Sequence, residues 1–95
     1  MNPDYSRIKF TFPSLEKFII MDFNKKIALE DLKFTFTNVL KIDLFGQKVH
    51  FSVSKGLNFL QLNSQQSLYG QQIQDLFKTD KNYIEIVVKF LQEGA

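Results

Sequence analysis

Cysteine is absent from this chain of 95 residues, which excludes disulfides, thiolate chemistry and cysteine-ligated metal sites. A small domain without disulfides suits a reducing compartment, so we expect a cytoplasmic, intracellular protein. Long apolar runs are missing too. The longest, residues 18–21, is far shorter than the roughly 20 residues of a transmembrane helix. The first residues carry no apolar signal-peptide segment either, so we expect no association with a membrane.

An excess of one charge is also missing. Twelve basic and ten acidic residues leave a net charge of +2, and they form no run of like charge. Nucleic-acid arms and polybasic membrane anchors consist of such runs, so we expect neither. Asp22 and Glu85 interrupt the lysines of the predicted strands, which argues further against a basic stripe for nucleic acid.

Histidine occurs once, at His50, so a metal site has no second imidazole to use. Neither a nucleophile-elbow motif nor a glycine spacing that cradles phosphate is present. His50 lies in a predicted strand, on the face opposite Val49 and Phe51. We interpret it as a strand-surface residue, and we expect no catalytic residue, no metal and no cofactor.

Alternating apolar residues are abundant, and they indicate strands with one buried face. Five runs show this pattern or are short apolar segments between turn residues, at 8–12, 17–23, 49–53, 57–62 and 83–91. The last run is the clearest, because β-branched residues dominate it. Pro13 ends the first run and begins a tight turn, so the first two runs are predicted to form a hairpin.

Residues 28–42 combine two patterns. Apolar residues follow helical spacing, at Leu29, Leu32, Phe36, Val39 and Leu40. A shorter alternation over 33–37 is typical of a strand. We favour a helix because its spacing persists longer, and because acidic residues lie in its first turn. In the polar segment 63–82 we expect one or two helical turns, with Ser67 as a cap.

The predicted order is strand, strand, helix, strand, strand, short helix, strand. In this order the chain resembles the ubiquitin-like superfamily. Three segments carry the resemblance: the hairpin at 8–23, the helix at 28–41 and the segment 67–74. In the last of these a leucine, a tyrosine and an Ile-Gln pair follow one another as they do before the last strand of ubiquitin.

The resemblance implies an α+β fold, the β-grasp roll of ββαββ(α)β order. A mixed sheet of four to five strands would pack on one main helix, with the first and last strands parallel at its centre. We expect residues 1–95 to form a single domain of this kind within a larger protein.

The resemblance also implies a non-catalytic interaction module of a scaffold or adaptor protein, of cytoskeletal or centriolar type among others. Ubiquitin is conjugated through a Gly-Gly tail that residues 92–95 lack, so we expect no modifier chemistry. Ubiquitin binds receptors through an apolar patch on the outer face of its sheet. The corresponding positions here are mostly polar, and they include three candidate contact residues, His50, Val87 and Lys89.

The second strand offers another contact surface. If the odd-numbered residues of 17–23 face the helix, Phe18 and Ile20 face outward on a strand that the β-grasp order places at a sheet edge. We predict Phe18 and Ile20 as apolar anchors, with Lys9 and Lys17 as their charged rim. A slip of one residue would bury Phe18 and Ile20 instead, since this strand is apolar on both faces.

Two alternatives remain open. Some β-grasp relatives, the DIX and Phox/Bem-type domains, associate head to tail, so the chain could be a self-associating structural domain. The other alternative is a small-ligand-binding or enzymatic α+β domain that uses His50. The expected partner is a protein or a second copy of the chain, and not a nucleic acid, a membrane or a metal.

Overall fold

The computed structural model describes residues 4–44, 46–55, 57–73 and 83–92. Within these ranges, five strands form one sheet, in the spatial order β2-β1-β5-β3-β4. Their bounds are β1 Tyr5–Phe12, β2 Lys17–Asn24, β3 Gln47–Lys55, β4 Asn58–Leu62 and β5 Ile84–Gln92. The helix α1 (Leu32–Leu40) packs on the sheet. The predicted α+β architecture is therefore confirmed, and all five predicted strands are present with ends that differ by a few residues.

The opening hairpin pairs β1 with β2 along the whole of both strands, from Tyr5 opposite Asn24 to Phe12 opposite Lys17. A 3-10 turn over Pro13–Leu15 connects them, and Glu16 closes it in the left-handed region, at φ 53°. Proline suits the first position of this turn because its ring holds φ near the value that the turn requires.

The last strand lies at the centre of the sheet. β5 runs parallel to β1 on one side and antiparallel to β3 on the other. Its alternate residues Ile84, Ile86 and Val88 are buried on the face that packs on α1. The predicted parallel pairing of the first and last strands is confirmed.

The helix begins with a 3-10 turn, Leu29–Asp31, and continues as α1. Phe36 is buried, whereas Phe34 is 76% exposed, so the helical spacing and not the short alternation describes this segment. The helix is shorter than predicted at both ends. Lys41 ends it in the left-handed conformation, at φ 55° and ψ 45°.

The core centres on phenylalanine rings. Phe10 contacts Phe23, Phe36 and Phe51, with ring centroids 4.9, 5.1 and 6.3 Å apart. Phe36 also contacts Phe12, at 5.0 Å. These four pairs are edge-to-face, which suits the quadrupoles of the rings. These contacts pack α1 against one face of the sheet and, in the described part of the chain, leave the opposite face without a helix.

The connection before β5 contains one short 3-10 turn in its described part, Leu68–Gly70. Ser67 precedes this turn but makes no capping hydrogen bond with its side chain, so the predicted cap is wrong. Its backbone instead forms an isolated β-bridge with Ala28. Further along, the predicted helical residues Leu76 and Phe77 lie outside the described residues. Among the helices described, none is long and apolar enough to cross a membrane.

Candidate functional site

β2 is a sheet edge, and its two faces differ in burial. Ile19 and Phe23 are buried against the core, whereas Phe18 is 60% exposed and Ile20 is 42% exposed. The residues that face outward are thus the two predicted anchors, and the slipped register does not occur. Within the described part of the chain, no strand lies along the side of β2 that faces away from β1. We call Phe18, Ile20 and Met21, with the unpaired side of this backbone, the β2 edge.

The sheet face opposite α1, which we call the outer face, brings both groups of predicted contact residues together. Thr11 lies opposite Phe18 on one side and Val87 on the other, so Phe18 and Val87 are separated by a single strand. Lys9 lies in the same way between Ile20 and Glu85. His50 lies opposite Lys89 on the neighbouring strand pair. Six of the seven predicted residues therefore share one face, namely Lys9, Phe18, Ile20, His50, Val87 and Lys89.

Lys9 is the best-connected charged residue of this face. Its Nζ lies 4.8 Å from the ring centroid of Phe18 and 5.8 Å from that of Tyr83. The same atom lies 4.0 Å from Oε2 of Glu85. The ammonium thus lies between an edge strand and the central strand, where it is attracted by both rings and by the carboxylate. Lys9 thus connects three strands of the outer face next to Phe18.

Lys17, the seventh predicted residue, has a different location. It lies opposite Phe12, whose side chain is buried in the core, so Lys17 points to the helix side of the edge. There it lines an open groove of about 430 Å³ between the start of β2 and the end of α1. The groove, which we call the β2–α1 groove, is lined by Glu16, Lys17, Phe18, Ile19, Val39 and Leu40. Lys17 can therefore serve as a charged rim on the helix side only.

His50 has a surface environment. Nε2 of Gln61 lies 3.2 Å from Nδ1 of His50, and because an amide nitrogen donates, the ring nitrogen accepts. Within the described ranges, no group of three or more histidine, cysteine, aspartate or glutamate residues could hold a metal ion. The geometry suits a polar contact on the outer face.

Sequence reasoning missed a second exposed apolar edge. β4 ends the sheet on the side opposite to β2. Phe59 is 68% exposed and Leu60 is 38% exposed, and Leu57 before them is fully exposed. We call these three residues, with the unpaired side of β4, the β4 edge. A signal was available, because residues 57–62 are apolar on both faces of a short strand.

The one shifted pKa in the described part of the chain belongs to Tyr69, away from the outer face. Desolvation by neighbouring atoms, together with a hydrogen bond to Asp4, raises the pKa of Tyr69 above its ordinary value of 10.0. The phenol donates to Oδ1 of Asp4 over 3.1 Å, and Nζ of Lys26 lies 3.3 Å from Oδ2 of the same carboxylate. This cluster connects the start of β1 to the turn before β5, which indicates a structural role.

No protein-family model matches the sequence, and no curated protein does. Solved structures are similar. The C-terminal ubiquitin-like domain of mouse tubulin-specific chaperone e has a TM-score of 0.62 at 12% identity, over 100% of this chain and 95% of that one. The ubiquitin-like domain of yeast Ddi1 has a TM-score of 0.53 at 11% identity, over 100% and 99%.

A third similar structure is the C-domain of the Hsp90 co-chaperone Cns1 from Saccharomyces cerevisiae. Its TM-score is 0.58 at 11% identity, over 90% of this chain and 59% of that one. Sequence identities this low carry information about the fold alone. The strand order, the parallel central pair and these likenesses agree, and the chain therefore has the ubiquitin-like β-grasp fold.

Proposed function

We propose that this chain is a non-catalytic protein–protein interaction module, a single domain of an intracellular scaffold or adaptor protein. Its contact surface consists of the β2 edge with the adjoining outer face. One observation carries the proposal: Phe18 and Ile20 are exposed side by side on a strand that, among the described residues, has a neighbouring strand on one side only. Exposed apolar residues that form a contiguous patch mark interaction sites more often than scattered ones do.

The backbone of β2 supplies the second component of the contact. An edge strand leaves N–H and C=O groups unpaired along one side, and an extended segment of a partner can add to it as a further strand. Such an addition obtains its affinity from backbone hydrogen bonds and its specificity from side-chain pockets. The β2–α1 groove, an open depression of about 430 Å³, lies next to these backbone groups.

The remaining predicted residues supply polar contacts. Lys9 stands beside Phe18, and His50 and Lys89 form a polar region one strand pair away. Interfaces often surround apolar anchors with a polar rim that excludes water from them. We therefore assign Phe18 and Ile20 as anchors, Val87 as the apolar continuation of the face, and Lys9, Lys17, His50 and Lys89 as the rim.

The names of two similar proteins favour a protein partner. One is a tubulin-specific chaperone and the other an Hsp90 co-chaperone, so both are named for their work with other proteins. A cytoskeletal setting for this chain belongs to the proposal on the same ground. The enzymatic alternative has no comparable support, because the partner that the structure shows for His50 is an amide and not a carboxylate or a hydroxyl.

Site-specific photo-crosslinking in cells tests the proposal. A benzoylphenylalanine at position 18 is compared with one at position 34, which is similarly exposed but lies on α1, away from the outer face. We expect position 18 to crosslink to a defined protein, and position 34 to give no such adduct. Adding Ile20→Asp to the position-18 variant is expected to abolish the adduct, because it places a charge in the contact. Equal crosslinking from both positions, or none from position 18, would refute the proposal.

A further inference from the structure

The two edges of the sheet complement each other, and we propose that the β4 edge of one copy docks on the β2 edge of a second copy. Chains then associate head to tail and continue one sheet. This inference rests on the proposed function, because it names a second copy of the chain as the partner of the β2 edge. Three observations support it: the directions of the strands, the faces of the exposed side chains and the uncharged, apolar centre of both edge strands.

The strand directions allow the two edges to pair in a favourable way. β2 is antiparallel to β1, β1 is parallel to β5, β5 is antiparallel to β3, and β3 is antiparallel to β4. β2 and β4 therefore run in opposite directions. When a second copy is placed beside the first by translation along the sheet, β4 and the new β2 become antiparallel neighbours. The helices of both copies remain on the same side of the continued sheet. Antiparallel pairs are somewhat more stable per residue than parallel ones.

Translation also places the exposed side chains of the two edges on the same face of the continued sheet. Phe59 lies opposite Ser54 and so belongs to the outer face, like Phe18 and Ile20. In the continued sheet these side chains become cross-strand neighbours, at the spacing of about 5 Å that such pairs have. Phe59 then covers the two anchors of the next copy.

Two half-exposed residues on the helix side of the junction support this pairing more strongly. Leu60 and Met21 both point to the core face, yet they remain 38% and 43% exposed. They are exposed because each lies at an edge, where the next strand is missing. A single β4–β2 junction supplies the missing strand to both residues. It also brings Leu60 next to the β2–α1 groove, where Val39 is exposed.

The β4 edge lacks the proline and the charges that commonly prevent such pairing, and β2 carries charges only outside its central apolar segment, residues 18–21. Edge strands are commonly protected by proline, by inward-pointing charges or by bulges. β4, Asn58–Leu62, contains neither a proline nor a charged residue. β2 carries Lys17 and Asp22, but it contains no proline and pairs with β1 in continuous register without a bulge. A twofold pairing of β2 with β2, or of β4 with β4, would leave the other edge exposed in every dimer. The head-to-tail junction covers both, and because it does not close on itself, the assembly grows with concentration.

Sedimentation velocity with complementary variants tests this arrangement. Phe18→Asp blocks the β2 edge and leaves the β4 edge intact, whereas Phe59→Asp does the reverse. An aspartate at position 18 lies beside the Lys9 ammonium, so the new charge has a partner within the fold. We expect the wild type to exceed about twice the monomer mass over about three decades of concentration, because a small junction binds weakly. Each variant alone is expected to stay monomeric, and the equimolar mixture is expected to form dimers and nothing larger.

Phe34→Asp is the matched control, since Phe34 is exposed on α1 away from both edges. It is expected to assemble like the wild type. Circular dichroism confirms that each variant is folded. If Phe18→Asp or Phe59→Asp unfolds, Ile20→Asp and Leu57→Asp replace them, and Leu57 has no burial to lose.

Three results would overturn the inference. A wild type that stays monomeric at every concentration excludes self-association, while the crosslinking at position 18 still decides the interaction function independently. A Phe59→Asp variant that dimerises alone indicates β2–β2 pairing. Loss of assembly in Phe34→Asp assigns the contact to the helix instead.

Discussion

At the scale of single residues, Lys9 connects the side chains of the outer face. It belongs to β1 but contacts the ring of Phe18 on β2 and the carboxylate of Glu85 on β5. Its long side chain lies over the sheet and keeps the charged end near solvent. Phe18 thereby has a contact with a cation of its own chain. A side chain with such a contact has less conformational entropy to lose when a partner binds.

Replacing Lys9 by methionine separates the charge of this residue from its length. We expect Lys9→Met to lower the free energy of unfolding by about 0.5–1 kcal/mol, because the cation–π and ion-pair attractions disappear while the apolar stem remains. Urea unfolding at low and high salt measures the effect, which should shrink with salt. The control is Lys48→Met, for which the described residues show no ion pair. It should change the stability by less than about 0.5 kcal/mol. Equal losses in both variants would contradict the role of Lys9.

At the scale of elements, the ends of α1 are determined by backbone conformation more than by apolar spacing. The spacing continues to Leu40 and the next residue, Lys41, adopts the left-handed conformation. A residue with a Cβ pays about 1 kcal/mol there. Glycine adopts this conformation without that cost and is the residue most common at helix ends. The chain ends its main helix without one.

Glycine at position 41 should therefore stabilise the protein. We expect Lys41→Gly to raise the free energy of unfolding by about 0.5–1 kcal/mol, after the larger entropy of the unfolded glycine chain is included. Thermal and urea unfolding measure the gain. Lys41→Ala is the matched control, because it removes the same charge and keeps the Cβ. If alanine stabilises the protein as much as glycine does, the gain comes from the charge and the backbone argument is wrong.

At the scale of the whole molecule, one aromatic cluster connects the elements that are far apart in the sequence. Phe10 of β1 contacts Phe23 of β2, Phe36 of α1 and Phe51 of β3. Only a folded chain brings these four segments together. The cluster also determines which face of the sheet is covered by α1, and so it leaves the outer face open to a partner.

Removing the ring of Phe10 at the centre of this cluster should destabilise the whole fold. We expect Phe10→Ala to lower the free energy of unfolding by about 3–5 kcal/mol, through lost burial and the cavity left behind. For a domain of this size that corresponds to a fall in Tm of more than about 10 °C, measured by circular dichroism. Phe34→Ala is the control: its exposed ring should contribute less than about 0.5 kcal/mol. A small effect of Phe10→Ala would show that the ring contacts are not central to stability.

Local patterns predicted much of this fold and part of its candidate surface. Alternation placed Ile84, Ile86 and Val88 in one buried row, and helical spacing distinguished the buried Phe36 from the exposed Phe34. The cap expected at Ser67 is absent, because residue type sets a preference for the cap position and does not fix the direction of the hydroxyl. The sequence pattern did not predict the β4 edge, because an apolar run does not show whether a neighbouring strand covers it.

The sequence by itself determined the order of the elements, the buried side of the central strands and the absence of disulfides, since each depends on residue types and short-range spacing. Only the tertiary structure decided that Phe18, Ile20 and Phe59 face solvent while residues equally apolar lie in the core. Burial of a strand residue depends on whether another strand or helix lies against it. That is set by the β2-β1-β5-β3-β4 order, which arises from contacts between distant parts of the chain.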